Sequence, residues 1–259
     1  MFKRVATAVI ALLFFIPIMW FGSWPLELLM AVLAILAQME FIQMKKLKLN
    51  SFPAIISSLG VAGLIFSQRL VFIFGGQVLI KLISLTAISL LIYALNKPDF
   101  KISHIASIVY LMTYIGIGFY AFVQLRATSL TFLILMLLII WTTDSGAFLV
   151  GRKIGKRKLA PSVSPNKTVE GAVGGTAVAT IVSAVYLLFF PLYASYFLTL
   201  LFMIGLSITG QLGDLIESKL KREYNIKDSG NLLPGHGGIL DRFDSMLLVL
   251  NVIFIIGVL

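Results

Sequence analysis

Nine apolar runs, most of them long enough to cross a lipid bilayer, dominate this chain of 259 residues. A membrane-spanning helix needs about 20 mostly apolar residues. The predicted spans are residues 5–21, 26–44, 52–66, 71–95, 102–125, 130–150, 169–188, 196–213 and 239–259. The third run is short and the fourth contains Gly75, Gly76 and Lys81, so a re-entrant element is the alternative for residues 52–95. The pattern predicts an all-α, polytopic integral membrane protein with about nine transmembrane helices.

Composition excludes the main soluble classes. The hydrophobic fraction is 59% and the charged fraction 12%, whereas soluble globular chains are about 45–50% apolar and about 25% charged. The net charge of +10 comes from short basic clusters between apolar runs, which is typical of topology signals and not of a nucleic-acid interface. Nucleic acid is therefore not an expected partner. With no cysteine, a thiolate nucleophile and a cysteine-ligated zinc site are also excluded.

The distribution of Lys and Arg predicts the orientation, because these residues concentrate in cytoplasmic loops. With nine spans, 17 of the 21 basic residues fall on one side of the membrane, and only Arg69 and Arg126 fall on the other. We therefore expect a cytoplasmic N-terminus. The two long polar stretches, 151–168 and 218–238, then face the cytoplasm as well.

The sequence contains no repeat and no linker that would mark a second domain. We predict a single membrane domain, 1–259, in which 1–127 form the N-terminal helices and 128–259 form a catalytic half with the two cytoplasmic loops. Eight of the eleven acidic residues lie between Asp144 and Asp244, which favours chemistry in the second half.

Four of these carboxylates are predicted to share one depth. Asp144 lies roughly 21 Å along its helix and Asp214 roughly 27 Å along its own, and both helices run towards the cytoplasm. Asp241 and Asp244 open the last helix at the same edge. For that last pair, stabilisation of a helix N-terminus is the alternative interpretation. Glu217 has the alternative of a solvated helix end.

Acids at membrane depth require a cationic partner. The candidates are Lys167, Lys221, Arg222, Arg242 or a bound metal ion. Oxygen ligands without cysteine favour Mg²⁺ or Mn²⁺ over zinc. We favour a metal over purely ionic pairing.

The two loops carry patterns that suit phosphate. Ser164 resembles a helix N-cap with Pro165 at the first helical position, and Lys167 adds charge to a helix N-terminus that is suited to anions. An ordinary capped helix is the alternative. In the second loop, Pro234-Gly235-His236-Gly237-Gly238 allows close approach of the backbone to a ligand. Gly171, Gly174 and Gly175 are more simply helix-packing positions.

This second loop resembles the signature of the CDP-diacylglycerol synthases, also called phosphatidate cytidylyltransferases. The matching positions are Ser218, Lys221, Arg222, Lys227, Asp228, Pro234, His236, Gly237, Gly238, Asp241, Arg242 and Asp244. The elements at 164–171 and 144–147 also look like family elements, so the resemblance covers roughly the C-terminal half. It implies an integral membrane enzyme that joins CTP to phosphatidic acid, giving CDP-diacylglycerol and pyrophosphate.

From this resemblance we expect specific roles. Asp214 and Asp241 would hold Mg²⁺ or Mn²⁺ on the triphosphate, with Asp144 and Asp244 as further ligands or supporting residues, and a second cation is compatible with that set. Lys167, Lys221 and Arg222 would bind the triphosphate and lipid headgroup, and His236 would contact the leaving pyrophosphate. Further substrate contacts are expected from Ser164, Asn166, Thr168, Lys227, Asp228, Gly237, Gly238 and Arg242.

Other assignments stay open at this point. A synthase of archaeal CDP-lipids and a CTP-dependent lipid kinase fit the same residues. An ion-coupled transporter fits less well, because transporter sites lie near the midplane and usually come with repeats. The expected partners are CTP, phosphatidic acid and membrane lipids, and a homodimer is compatible with the sequence. The expected location is the cytoplasmic membrane of a prokaryote, with the active site facing the cytoplasm.

Overall fold

The computed structural model describes residues 13–192, 195–230 and 237–258. Within these ranges helices joined by short connections make up the chain, apart from one β-hairpin. The helices are α1 (residues 13–21), α2 (Ser23–Met44), α3 (Phe52–Ile65), α4 (Ser67–Phe74), α5 (Val78–Leu95), α6 (Ile102–Thr128), α7 (Leu130–Ile154), α8 (Val169–Phe189), α9 (Tyr196–Glu223) and α10 (Leu240–Ile256). The two strands are β1 (Lys158–Ala160) and β2 (Ser164–Thr168).

Six of the described helices, α2 and α5 to α9, are long and apolar enough to cross a membrane. The pair α3 and α4 adds a seventh candidate if it counts as one broken span. This supports an all-α membrane protein. The predicted total of about nine spans stays a prediction, since the first run extends into residues 1–12, outside the described part, and α10 has 17 residues.

The region 52–95 departs from a simple pair of helices. The helices α3 and α4 are bent by 97° with respect to each other, which is the geometry of a broken span or a re-entrant loop. The predicted fourth run is interrupted because Gly75 and Gln77 both have positive φ angles, 69° and 60°. Left-handed backbone ends one helix and lets α5 start afresh at Val78.

The prediction that Ser164 caps a helix with Pro165 at its first position is wrong. Residues 164–168 form strand β2, which pairs antiparallel with β1 in the register Lys158 with Thr168. Pro165 is tolerated there because a two-stranded hairpin consists of edge strands. The cap lies four residues later, where the Thr168 hydroxyl accepts a hydrogen bond of 3.1 Å from the Gly171 backbone N–H.

Both predicted loops are also shorter than expected. Helix α7 continues to Ile154 and α9 continues to Glu223, so the residues at the starts of the stretches 151–168 and 218–238 are helical. Ser129 and Ser195 cap α7 and α9 by accepting from Phe132 N and Leu198 N. Three helices in this part of the chain therefore begin at a hydroxyl cap.

The chain divides into two compact units. Unit 1 comprises Met1–Gln124, Asp228–Arg242 and Val258, and unit 2 comprises Leu125–Lys227, Phe243–Gly257 and Leu259. In unit 1, α3 and α6 pack closely, because a side chain at Gly116 would lie 2.5 Å from Leu64. The prediction of a single membrane domain stays a prediction.

Candidate active site

Helices α7 and α8 of unit 2 meet almost backbone to backbone. A Cβ atom at Gly175 would lie 2.5 Å from the Thr143 carbonyl oxygen, and one at Gly171 would lie 2.7 Å from the Ala147 oxygen. A Cβ at Gly146 would meet Gly175 Cα at 3.1 Å. Small residues permit such close packing of membrane helices. The predicted packing role of Gly171 and Gly175 is confirmed. These contacts fix the position of α7 along the axis of α8.

A ladder of polar side chains joins α7, α8 and α9 one turn from the acidic residues. Thr143 and Ser207 share a buried hydrogen bond of 2.8 Å, and Ser207 donates to Thr176 at 3.3 Å. Gln211 Nε2 donates to the Thr176 hydroxyl at 2.9 Å. Hydrogen bonds in an apolar setting fix helix rotation, since leaving either partner unpaired is costly. The ladder therefore orients the turns that carry Asp144 and Asp214.

Asp214 forms an ion pair with Lys167. Both side chains are less than a third exposed, at 29% and 27%. Lys167 reaches this position because it lies on β2, directly before the cap of α8. Ser218, one turn further along α9, donates to Asp214 Oδ1 at 3.3 Å. The cationic partner expected for Asp214 is therefore present.

Asp144 and Asp244 belong to the same electrostatic environment. The Asp144 carboxylate is close enough to Asp214 and Lys167 for their charges to interact. Asp244 interacts with Asp214, Asp144 and Lys221. Helices α9 and α10 approach closely here, since a Cβ at Gly213 would lie 2.7 Å from the Asp244 carbonyl oxygen. We call Asp144, Asp214 and Asp244 the acidic triad of unit 2.

The cations at the end of α9 have protein partners. Lys221 forms an ion pair of 2.5 Å with Glu217, and both side chains are largely buried. The alternative of a solvated helix end does not hold for Glu217, which is 6% exposed and lies on the same helix face as Asp214 and Ser218. Arg222 is exposed, and its guanidinium donates to the backbone oxygens of Val163 and Ile226.

Asp241 lies in unit 1, where neutral donors surround it. Its Oδ2 atom accepts hydrogen bonds of 2.8 Å from the backbone N–H groups of Ser229 and Gly238, and the Ser229 hydroxyl lies 3.0 Å away. Glu40 of α2 belongs to the same network, accepting from the Ser229 hydroxyl at 2.8 Å. The Asp241 carboxylate is thus tied to the chain on both sides of segment 231–236.

Comparison with known proteins gives the family. The sequence profile described as "Cytidylyltransferase family" matches residues 2–259. A phosphatidate cytidylyltransferase of Staphylococcus haemolyticus (strain JCSC1435) is 42% identical over 253 residues, covering 98% of this chain and 97% of the relative. One of Bacillus subtilis (strain 168) is 40% identical over 257 residues, covering 97% of this chain and 96% of that protein.

The chain belongs to the cytidylyltransferase family. The match includes the N-terminal helices as well as the C-terminal half on which the sequence resemblance rested. With its apolar helices, the chain is an integral membrane member of this family.

The structure places the predicted site residues of this cytidylyltransferase family member in different surroundings. Asp144, Lys167, Asp214 and Asp244 come together in unit 2. Asp241 lies in the network of unit 1. Lys221 and Arg222 contact other protein groups, and Thr168 is a helix cap. Exposed positions are Asn166, Lys227, Asp228 and Arg242, Ser164 is half-buried, and His236 lies outside the described residues.

Two groups of polar residues in this cytidylyltransferase family member were missed by the sequence interpretation. Glu40 was set aside because it precedes the acidic half of the chain, yet a carboxylate within an apolar run is itself a signal of function. The polar ladder had a weaker signal. Ser207, Gln211 and Asp214 are spaced four and three residues apart along α9, so they lie on one face of that helix.

The chemistry of the acidic triad fits a hard divalent ion. Across the described ranges no group of three or more His, Asp or Glu side chains is arranged so that it could hold a metal ion. Mg²⁺ is commonly bound through one or two carboxylates, water and substrate phosphates, and not by an all-protein cage. The oxygen donors of unit 2, with a displaceable ammonium beside them, suit that mode of binding.

Proposed function

We propose that this chain transfers the cytidylyl group of CTP to phosphatidic acid, producing CDP-diacylglycerol and pyrophosphate. The observation that carries the proposal is its 42% identity, over 98% of its length, to a relative named phosphatidate cytidylyltransferase. The acidic triad and Lys167 suit this chemistry, because phosphoryl transfer depends on positioning and charge neutralisation.

In the reaction an oxygen of the lipid phosphate forms a bond to the α-phosphorus of CTP. The bond from that phosphorus to the α–β bridging oxygen breaks, and pyrophosphate leaves with the electron pair. The lipid phosphate is already an anion, so no strong base is required. The protein has to hold two anions together in line, and doing so offsets a large part of the barrier.

Lys167 is the residue of unit 2 best suited to receive a phosphate oxygen. Its ammonium is balanced by Asp214, and an incoming triphosphate would share this charge. Asp144, Asp214 and Asp244 are the residues that would hold Mg²⁺, and the bound ion would neutralise the triphosphate and polarise the α-phosphoryl group. The roles of Asp241 and His236 at the triphosphate stay predictions.

The proposed topology has nine crossings and a cytoplasmic N-terminus. In unit 1, Arg69 of α4 forms an ion pair of 2.5 Å with Glu27, in the first turns of α2. Phe52 at the start of α3 stacks on Tyr93 near the end of α5, with ring centroids 5.2 Å apart. These contacts support a topology in which α3 crosses the membrane antiparallel to α2 and α5. Helix α4 then lies on the side of the membrane opposite to the cytoplasm. Cytoplasmic Lys and Arg then flank the end of α7, the helix that carries Asp144.

The decisive experiment uses purified protein in detergent–lipid micelles with phosphatidic acid and CTP labelled at either the α- or the γ-phosphate. We expect the α-label in CDP-diacylglycerol and the γ-label in pyrophosphate. Transfer of the γ-label to lipid would indicate a kinase instead. Absence of both products, with proton or ion uptake into vesicles, would favour the transporter.

Metal dependence has its own measurement. We expect EDTA to abolish formation of CDP-diacylglycerol and Mg²⁺ or Mn²⁺ to restore it. Direct binding of Mn²⁺, followed by electron paramagnetic resonance in the presence of CTP, should weaken in the Asp214→Asn variant. Full activity in EDTA would remove the metal from the proposal while leaving the transferase reaction intact.

A further inference from the structure

Glu40 is a buried carboxylate near the C-terminal end of α2, with 5% of its surface exposed. It lies in an apolar helix and is followed by Phe41 and Ile42, which are also buried. A buried acid is costly unless several donors satisfy it. The position therefore raises the question of which groups it binds.

Three donors converge on Glu40. The Ile239 backbone N–H donates to Oε1 at 2.7 Å, and the Leu240 N–H donates to Oε2 at 3.0 Å. The Ser229 hydroxyl donates to Oε2 at 2.8 Å. The two amides belong to the start of α10, whose N–H groups have no partner within the helix. A carboxylate is favourable there, since the helix dipole is positive at this end.

Glu40 and Asp241 bind the same two stretches of chain. Asp241 accepts from the backbone of Ser229 and Gly238, and Glu40 accepts from Ser229 and from the residues that follow Gly238. These stretches flank segment 231–236 on its two sides. Glu40 is therefore the member of the network that comes from a distant part of the sequence, 189 residues before Ser229.

The glycines beside this segment leave room for the Glu40 carboxylate. A Cβ at Gly230 would lie 2.8 Å from Glu40 Oε1, and a Cβ at Gly238 would overlap both Glu40 Oε2 and the Ser229 hydroxyl. Gly237 has a φ of +82°, which other residues adopt only with strain. Gly230 and Gly238 thus have a reason to be glycine that does not depend on phosphate binding.

We propose that Glu40 is a positioning residue for catalysis, which holds the flanks of segment 231–236 and thereby orients Asp241. The inference rests on the proposed cytidylyltransferase reaction for its effect on turnover. Its structural part, the clamp between α2 and the start of α10, stands on the hydrogen bonds alone. The two parts can therefore be tested separately.

The test is Glu40→Gln, with Glu27→Gln as the matched control on the same helix. Glutamine keeps the volume, but its amide NH₂ group then faces backbone N–H donors, which leaves a donor unsatisfied. We expect hydrogen–deuterium exchange to rise about 10-fold or more at Ser229 and 238–240, with the rest of unit 1 unchanged. We expect kcat to fall on the order of 30-fold, while KM for CTP changes less.

Ser229→Ala is the second variant, and it keeps the inference testable if Glu40→Gln does not fold. It removes one hydroxyl between the two carboxylates, and we expect kcat to fall roughly 5-fold. In the double variant the loss should be about that of Glu40→Gln alone, because both residues act through one network. If the fold losses in kcat of the two single variants multiply in the double variant, Glu40 and Ser229 do not act through one network.

Three results would overturn the inference. They are unchanged exchange at 229 and 238–240 in Glu40→Gln, unchanged kcat in that variant, and loss of protection throughout unit 1, which would indicate a role in folding only. Failure of the proposed function looks different: the wild-type protein would then form no CDP-diacylglycerol. The exchange measurement would still decide whether Glu40 holds Ser229 and residues 239–240.

Discussion

The Glu40–Asp241 network of unit 1 and the acidic triad of unit 2 satisfy their carboxylates in different ways. In unit 1, Glu40 and Asp241 accept hydrogen bonds from backbone N–H groups and a serine hydroxyl. In unit 2, Asp214 is balanced by the side-chain ammonium of Lys167, and Asp144 is exposed. Backbone donors cannot leave, whereas a lysine can move to an incoming phosphate. The first arrangement fixes a conformation and the second is ready to exchange partners.

Among the substitutions that test this comparison, Asp214→Asn is expected to have the largest effect on activity. The substitution removes the anion that balances Lys167 and the central charge of the acidic triad. We expect kcat/KM to fall on the order of 10³-fold, about 4 kcal/mol, with little change in the unfolding temperature. Glu223→Gln, an exposed acid at the end of the same helix, is the control. Near-normal turnover in Asp214→Asn would show that unit 2 is not the reacting region.

Lys167→Met comes next. If the ammonium exchanges Asp214 for a phosphate oxygen, its loss should raise KM for CTP and lower kcat/KM about 100-fold, about 2.7 kcal/mol. Lys158→Met serves as the control, because Lys158 is exposed on the paired strand β1. Equal effects of the two variants would mean that general positive charge, and not the Asp214 partner, is what matters.

Gly175→Ala tests whether α7 and α8 must touch for the acidic triad to form. The new methyl group would lie 2.5 Å from the Thr143 oxygen and 2.9 Å from Ala147 Cβ. We expect destabilisation of about 1–3 kcal/mol, read as a lower unfolding temperature in detergent. Gly205→Ala has open space around it on α9, so it should be neutral or slightly stabilising. Similar behaviour of both glycines would argue against a backbone contact.

Thr143→Val gives the smallest expected effect. It keeps the volume of the side chain and removes the hydroxyl that pairs with Ser207. We expect a loss of about 1 kcal/mol in stability and a modest fall in activity. Thr209→Val, whose hydroxyl bonds only to its own helix at an exposed position, should change stability by less than about 0.5 kcal/mol. A larger loss in Thr209→Val would remove the ladder's special role.

The helices and half of the site could be predicted because both follow from strong local signals. Apolar runs locate the starts of most helices to within a few residues, and acids inside them stand out. The hairpin was missed because Ser164 and Pro165 also match a helix start, and only pairing with β1 decides between the two. Cap residues are ambiguous in this way, since Thr168 satisfies the same rule four positions later.

Glu40 could not be assigned from sequence for a different reason. Its partners lie 189 to 200 residues away, and no local pattern connects them. Likewise, the partner of Lys221 was expected to be a substrate because the charge was visible, while the burial of Glu217 one turn earlier was not. Long-range contacts decide which charges are neutralised within the protein and which remain for ligands.

The glycine seam between α7 and α8 also restricts how a two-tailed lipid reaches the acidic triad. Where two backbones lie in contact, there is no layer of side chains that could rotate aside to make a gap. An acyl chain therefore cannot part this pair without breaking it. The same holds for α9 and α10 at Gly213, where a Cβ would lie 2.7 Å from the Asp244 carbonyl oxygen. A lipid therefore has to reach the triad by a path that parts neither pair, and a cross-link between α7 and α8 should leave lipid entry unchanged.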